Sequence, residues 1–372
     1  MALRFLNVLS LGFPFFTGIL SLLQSHLLAL NPSVFQQKLQ ESTPLWMKEQ
    51  IERDLAPFRK ELSQKFLDSL FTKEEFYLFR VQVKDGKLTV QKSISVEGHP
   101  VPAMVIPHLQ QLHALKPLPD LDILFTAHDT FYPCQTKGPA WPIFIITKSK
   151  HDPGLILFPD WFALNDFEPD RAKILQGNDM YPWGCKINRL FFRGKDTGVH
   201  EDYARWKDYP RPRLVALSAK YPKLIDAKFN DLFYTPMLKK AKKEGWMGKF
   251  VSTKHFPRYR YLMDIDGNCA ATPRFPLLLH SNSVILKSIT DSIQWFYPKI
   301  KPYVHFIPVK EDLSDLLSQL EWAKNHHHEC QIISQNARQL AEEVLSHEAI
   351  FLYLYRLLEE YSKRQQQYYL EL

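Results

Sequence analysis

Cysteine is sparse in this chain. The four residues, Cys134, Cys185, Cys269 and Cys330, are far apart in sequence. Zinc-ligand spacing and a dense disulfide framework are thereby excluded. Glycine-rich phosphate loops are missing too. Neither Gly-x-x-x-x-Gly-Lys-Ser/Thr nor Gly-x-Gly-x-x-Gly occurs, which argues against kinase and dehydrogenase chemistry. Ser281 and Ser283 lack a Gly-x-Ser-x-Gly context, so a hydrolase nucleophile has no support. No dense Lys/Arg block with interleaved aromatics appears. The run Lys239-Lys240-Ala241-Lys242-Lys243-Glu244 is short and mixed and reads as a solvated helix face, so nucleic acid is not an expected partner. There is no internal repeat, and only the tail around Gln365-Gln366-Gln367 is biased in composition.

Charge is also missing from the N-terminus. From Ala2 to Leu30 the only charged residue is Arg4, and Asn7, Pro14, Gln24 and His26 interrupt the apolar run. Residues 1–30 therefore read as a signal peptide, a short membrane anchor or a hydrophobic docking helix. A small-x-small cleavage site is not evident.

What is present is ordinary for a globular protein. The 372 residues are 45% hydrophobic and 23% charged, enough for two α/β domains with real cores. Aromatics reach 13%, and the net charge of +7 suits an anionic partner: nucleic acid, an anionic membrane or a diphosphate. Thr43 and Pro44 predict a helix start, with Leu45, Ile51, Leu55 and Phe58 on its apolar side. Asp85-Gly86 between alternating runs predicts a β-hairpin. Strands are expected at Asp122–Ala127, Ile143–Thr147 and Leu155–Phe158. The stretch Asn165–Trp183 is polar and irregular and reads as a linker or a surface excursion. After it, strands at Asn188–Phe192, Ser283–Lys287 and Val304–Val309 alternate with helices at Arg213–Lys220, Gln331–Leu345 and Glu348–Tyr361. Leu313, Leu316, Leu317 and Leu320, with Asp312 near the cap, predict one more helix. Such alternation predicts parallel sheets covered by helices.

Several segments resemble one known family when taken in order. They are Phe192-Arg193-Gly194 with Thr197-Gly198, Tyr221-Pro222-Lys223-Leu224-Ile225-Asp226-Ala227, and Arg260-Tyr261-Leu262-Met263-Asp264-Ile265-Asp266-Gly267. Arg274-Phe275, Ser281-Asn282-Ser283-Val284-Ile285-Leu286-Lys287 and Lys301-Pro302-Tyr303-Val304-His305-Phe306-Ile307-Pro308-Val309 complete the series. Together they resemble the CAP10 domain, the glycosyltransferase family 90 of lipopolysaccharide-modifying and protein O-glucosyl enzymes. The resemblance spans roughly Pro44 to Tyr361. It implies a GT-B arrangement: two Rossmann-like domains facing a cleft, with the C-terminal helix crossing back to the first. The expected boundaries are 31–185 for the acceptor-side domain, 186–345 for the nucleotide-sugar domain, and 346–372 for the crossing helix and tail.

Inverting sugar transfer needs one base to take the acceptor proton, and positive charge or N–H donors for the leaving diphosphate. The resemblance places the base at Asp129, in a loop after a first-domain strand. Without it, Asp129 reads as a turn cap, and the adjacent His128 as a bystander. The family's donor site maps to Arg193, Gly194, Lys195, Asp266, Gly267, Ala271, Thr272 and Arg274, with Arg211 or Arg213 reaching the diphosphate. Lys195 stands where the family often has a small residue. Arg274 offers a planar fork for phosphate, and the run Ala270–Thr272 can aim N–H groups at the same anion. Surface ion pairs are the competing reading for these arginines.

Asp264-Ile265-Asp266 matches a metal motif of another glycosyltransferase fold, but here Asp264 reads as structural and Asp266-Gly267 as a tight turn beside the donor. His326-His327-His328 would point about 100° apart on a helix and cannot easily share one ion. No metal or other cofactor is expected; the donor is a UDP-sugar and the acceptor a glycan, lipopolysaccharide or protein hydroxyl. Membrane contact through the N-terminus is a further expectation. The ending Tyr369-Leu370-Glu371-Leu372 lacks a Lys-Asp-Glu-Leu signal, which favours the bacterial inner-membrane face over the endoplasmic reticulum lumen. A binding protein of the same fold without turnover is the alternative, and a membrane-surface protein a third.

Overall fold

The computed structural model describes residues 30–130, 140–198 and 203–370. The apolar N-terminal stretch, apart from Leu30, lies outside the described residues, as does Cys134; Cys185, Cys269 and Cys330 carry free thiols. Among the described residues, no helix is long and apolar enough to cross a membrane.

The chain is α/β, built on two five-stranded sheets. The first uses β1 (Leu78–Lys84), β2 (Lys87–Lys92), β3 (Leu121–Thr126), β4 (Ile143–Ile145) and, beyond the short β5 (Lys148–Ser149), β6 (Ile156–Leu157). Its order is β2-β1-β3-β4-β6, with β3, β4 and β6 parallel and the β1–β2 hairpin antiparallel at one edge. Asp85 and Gly86 close that hairpin with φ of +51° and +71°, the left-handed geometry that a two-residue turn between twisted strands requires.

The second sheet uses β7 (Ile187–Gly194), β8 (Ile225–Phe229), β9 (Tyr259–Asp264), β10 (Val284–Ile289) and, after the short β11 (Ser292–Ile293), β12 (Ile307–Lys310). Its order is β12-β10-β9-β7-β8 and every pairing is parallel. Its central strands are buried on both faces, which is why they read as continuous apolar runs such as Leu190-Phe191-Phe192. β5 and β11 pair antiparallel and stitch the two halves together.

The last helix, His347–Leu370, returns to the first sheet. It buries Phe351, Leu354, Leu357, Leu358 and Tyr361, each worth about 1.5–3 kcal/mol relative to exposure. Tyr361 donates its hydroxyl to the Asp122 carbonyl at 3.1 Å, and Ser362 donates to that of Asp120 at 2.6 Å. Trp46, Trp295 and Tyr353 pack between the halves, with Trp295 and Tyr353 ring centres 4.5 Å apart.

Four local expectations are corrected. The first long helix is Leu45–Leu55 with Pro44, not Thr43, at the cap position. Asn165–Trp183 is no linker, because Asp170–Met180 is helical. That helix packs so closely on Thr253–Arg258 that a Cβ on Gly177 would sit 2.2 Å from the Lys254 carbonyl. The helix expected at Leu313 begins at Leu316: Leu313 itself has φ +59°, and Asp312 instead accepts from the Ser314 N–H at 2.9 Å. The strand expected from Val304 begins at Ile307, after a turn in which Tyr303 has φ +57°.

Candidate active site

In parallel sheets, ligands bind beyond the carboxyl ends of the strands. Here the loops following β3, β7, β8 and β9 line one hollow of about 450 Å³. Asp129 and Arg274 both face it.

Asp129 follows β3. Thr147, just past β4, donates its hydroxyl to the Asp129 carbonyl at 2.6 Å, and Thr126 accepts from the His128 N–H at 3.1 Å. The backbone is thus held from two strands. The Asp129 carboxylate makes no hydrogen bond among the described residues. It is solvent-accessible, but the walls crowd it, and loss of bulk hydration raises its pKa above the ordinary 3.8, against a lowering by His128. The His128 ring turns the other way, edge-on to Tyr77 at 4.7 Å. A second carboxyl lies nearby on the same sheet. Asp160, after β6, is buried, and one oxygen caps the short helix Trp161–Leu164 through the N–H groups of Phe162 and Ala163. Burial, with a smaller contribution from Asp129, lifts it to about 6.

The opposite wall is cationic. Arg274 opens the helix Arg274–Leu279, lies 4.8 Å over the Phe192 ring, and donates to the Ile265 carbonyl at 3.3 Å. Arg211 is buried, donates to the carbonyls of Asp266, Lys195 and Ile265 at 3.0–3.1 Å, and bonds the Thr197 hydroxyl. Neither guanidinium forms an ion pair among the described residues. Burial lowers the pKa of both; Arg211 falls to about 9, with Arg274's like charge as the next cause. Two buried cations whose hydrogen-bond acceptors among the described residues are all neutral suit a bound anion. Asp264 and Asp266 attract both guanidiniums through space and offset part of the burial, but neither bonds them. Asp264 faces Lys287 at 2.7 Å in a buried pair that keeps the ammonium charged, and Asp266 accepts from Thr290 at 2.6 Å and from the Ala271 N–H at 3.0 Å.

Arg193, Gly194, Lys195, Gly267, Ala271 and Thr272 also line the hollow, but differently from expectation. Arg193 turns back onto Asp226 at 2.8 Å and stacks 4.6 Å from the Phe191 ring, and the exposed Lys195 pairs with Asp231 at 2.8 Å. Arg213 is not part of the hollow; it donates to the Asp312 carbonyl at 2.7 Å on the outside. The run Ala270–Thr272 does not present a row of N–H groups either, since Ala270 donates to Ser292 and Ala271 to Asp266. Asp266 lines a second hollow of about 330 Å³ that shares the Thr197, Gly267 and Asn268 walls with the first. That chamber is polar, with Ser288, Thr290, Ser292 and Glu311 around it. His326 folds onto Trp322, its ring stacked at 4.5 Å, and no group of three metal-ligating side chains occurs among the described residues.

Sequence reasoning missed Asp170, Asn230, Phe250 and Thr253, all of which face the first hollow. Asp170 was hidden by the linker reading; the others carry no local signal.

Comparison with known proteins places the chain in a family. The family model described as "Glycosyl transferase family 90" matches residues 40–369. Human protein O-glucosyltransferase 3 is 32% identical over 191 residues, 51% of this chain and only 35% of that relative. Rat protein O-glucosyltransferase 1 is 28% identical over 346 residues, covering 84% of this chain and 79% of the relative. The crystal structure of Anabaena Alr3699/HepE in complex with UDP and glucose overlays 59% of this chain and 63% of its own at a TM-score of 0.39 and 8% identity, a likeness too loose to carry an argument. With the family model spanning nearly all the described residues, the chain belongs to glycosyl transferase family 90.

Proposed function

We propose that this chain transfers a sugar from a UDP-sugar to a hydroxyl of a glycan or protein, with inversion at the anomeric carbon. The names of the curated relatives make UDP-glucose the first donor to test, with UDP-xylose beside it. The observation that carries the reading is the shared hollow: among the described residues, a carboxylate with no hydrogen bond and two guanidiniums with no ion pair line it together.

In this reading the acceptor oxygen attacks the anomeric carbon while its proton passes to the Asp129 carboxylate. The bond from that carbon to the diphosphate oxygen breaks, and its electron pair leaves on the diphosphate. Arg274 and Arg211 neutralise the charge that develops there. The nucleoside occupies the second, polar hollow, with the Gly267 turn between it and the sugar. Gly267 has no room for a side chain, since a Cβ would sit 2.8 Å from the Arg211 guanidinium.

Side chains perform the neutralisation that a divalent ion supplies in other transferases: Asp264 Oδ2 is taken by Lys287 and Asp266 by Thr290 and Ala271, while the buried Asp264 Oδ1 has no hydrogen-bond partner among the described residues. UDP release from UDP-glucose in the presence of a glycan or peptide acceptor is therefore expected to persist in EDTA. Failure to turn over any donor in a panel of UDP-sugars, or strict dependence on added metal, would refute this.

Gly194 provides a second test. A Cβ there would meet Arg274 at 2.7 Å and the Phe192 ring at 2.9 Å. Gly194→Ala is expected to push the guanidinium off its platform and weaken UDP binding about tenfold or more, since hydrogen bonds to charged groups contribute about 1.5–3 kcal/mol. Calorimetric titration with UDP checks it; wild-type affinity in the variant would show that Arg274 does not touch the nucleotide.

A further inference from the structure

The wall beside Arg274 carries chemistry that the diphosphate does not use. Phe250 is 72% exposed at the lip of the hollow, so its ring face is open to a ligand. Asp170, half-exposed at the start of its helix, faces the same space. Its Oδ1 accepts from the Thr253 hydroxyl at 2.9 Å and from the Lys173 ammonium at 3.0 Å. No hydrogen bond falls on Oδ2 among the described residues. Val251 and Phe256 continue the apolar surface behind them.

Lys173 already pairs with Asp170 at 3.0 Å, so what this wall offers a ligand is the open Oδ2 and the phenyl face rather than a net charge. The occupant that fits is therefore an uncharged group. It has hydroxyl donors for Oδ2 and an apolar face for the phenyl ring. A pyranose ring has both, because its axial C–H groups cover an aromatic face while its hydroxyls point outward. Resting on the transferase reading above, we propose that Phe250 and Asp170 form a pyranose-recognition subsite in the hollow they share with Asp129. The ring belongs either to the sugar being transferred or to the sugar that accepts it.

The test uses the full chain and the variants Phe250→Ala, Phe250→Trp and Asp170→Asn. Asparagine retains an oxygen for Thr253, so the helix start is kept. Three titrations are compared: UDP, UDP-glucose, and methyl β-glucoside added to UDP-loaded protein and followed by saturation-transfer NMR. Phe250→Ala and Asp170→Asn are expected to leave UDP affinity within about twofold and to weaken one of the sugar ligands about tenfold, the size of one lost ring contact or hydroxyl contact. Phe250→Trp should restore binding, which a merely structural role would not produce. Weaker UDP-glucose binding assigns the ring to the donor; loss of the glucoside signal alone assigns it to the acceptor. If neither ligand responds in a protein that binds UDP, the subsite is refuted while the transferase reading stands. If the wild type binds no nucleotide, the transferase reading itself has failed.

Discussion

Replacing Asp129 by asparagine is expected to lower the rate of sugar transfer by about 10²–10⁴-fold, the usual contribution of a positioned general base. Donor binding should be almost unchanged, because the amide keeps the carboxylate's shape and the guanidiniums are on the opposite wall. The backbone contact from Thr147 does not involve the side chain, so the fold should also be kept. The wild-type pH profile carries the same argument. The base works only when ionised, and the crowded walls of the hollow raise its pKa above 3.8. Activity should therefore fall as pH drops through a point above the ordinary carboxylate value, and Asp129→Asn should lose that acid limb along with the rate. Single-turnover kinetics across pH 4–8 measure both. A variant with near wild-type turnover would place the base elsewhere.

Removing Arg274 is the second large effect. Arg274→Ala is expected to reduce transfer about 10²–10³-fold, as for loss of a donor to a developing negative charge, and to weaken UDP binding in parallel. Arg274→Lys should recover only part of this, because an ammonium has neither the planar fork nor the stacking on Phe192. Stability should respond in the opposite sense. Among the described residues Arg274 and Arg211 form no ion pair and burial disfavours both charges, an effect Asp264 and Asp266 only partly offset, so Arg274→Ala should unfold at the same or a higher temperature than wild type. Added UDP should then raise the wild-type Tm more than the variant's. Thermal denaturation with and without UDP checks this, and a large drop in the variant's Tm without ligand would make Arg274 a structural residue.

Part of the second sheet was legible because its strands are buried on both faces and need unbroken apolar runs. Leu190-Phe191-Phe192 and Val284-Ile285-Leu286 each read as a strand for that reason, whereas β8 and β9, with Asp226, Lys228, Arg260 and Asp264 among their apolar residues, do not stand out as strands in the sequence. The hairpin was legible because only a few residue pairs tolerate two consecutive positive φ angles. Asp170–Met180 was not. Ile174 and Leu175 are adjacent rather than on a stripe, and only Ile174 is buried. That helix is held instead by distant polar contacts, such as Asn178 donating to the His280 carbonyl at 2.9 Å. Direction was the other illegible property. Arg193, Arg211, Arg213 and Arg274 look equivalent in sequence. The fold turns Arg193 onto Asp226, sends Arg213 outward, and leaves Arg211 and Arg274 around the hollow. Where a guanidinium points is decided by carboxylates and carbonyls contributed from other strands.

A crystal structure of the Asp129→Asn chain with UDP-glucose bound tests the central claim most directly. The account predicts the two phosphates against Arg274 and Arg211, the uridine in the polar chamber beside Ser288 and Glu311, and the anomeric carbon open to residue 129. Density for the nucleotide at any other surface, or a sugar turned away from residue 129 with an unfilled space between Arg274 and Arg211, would contradict it.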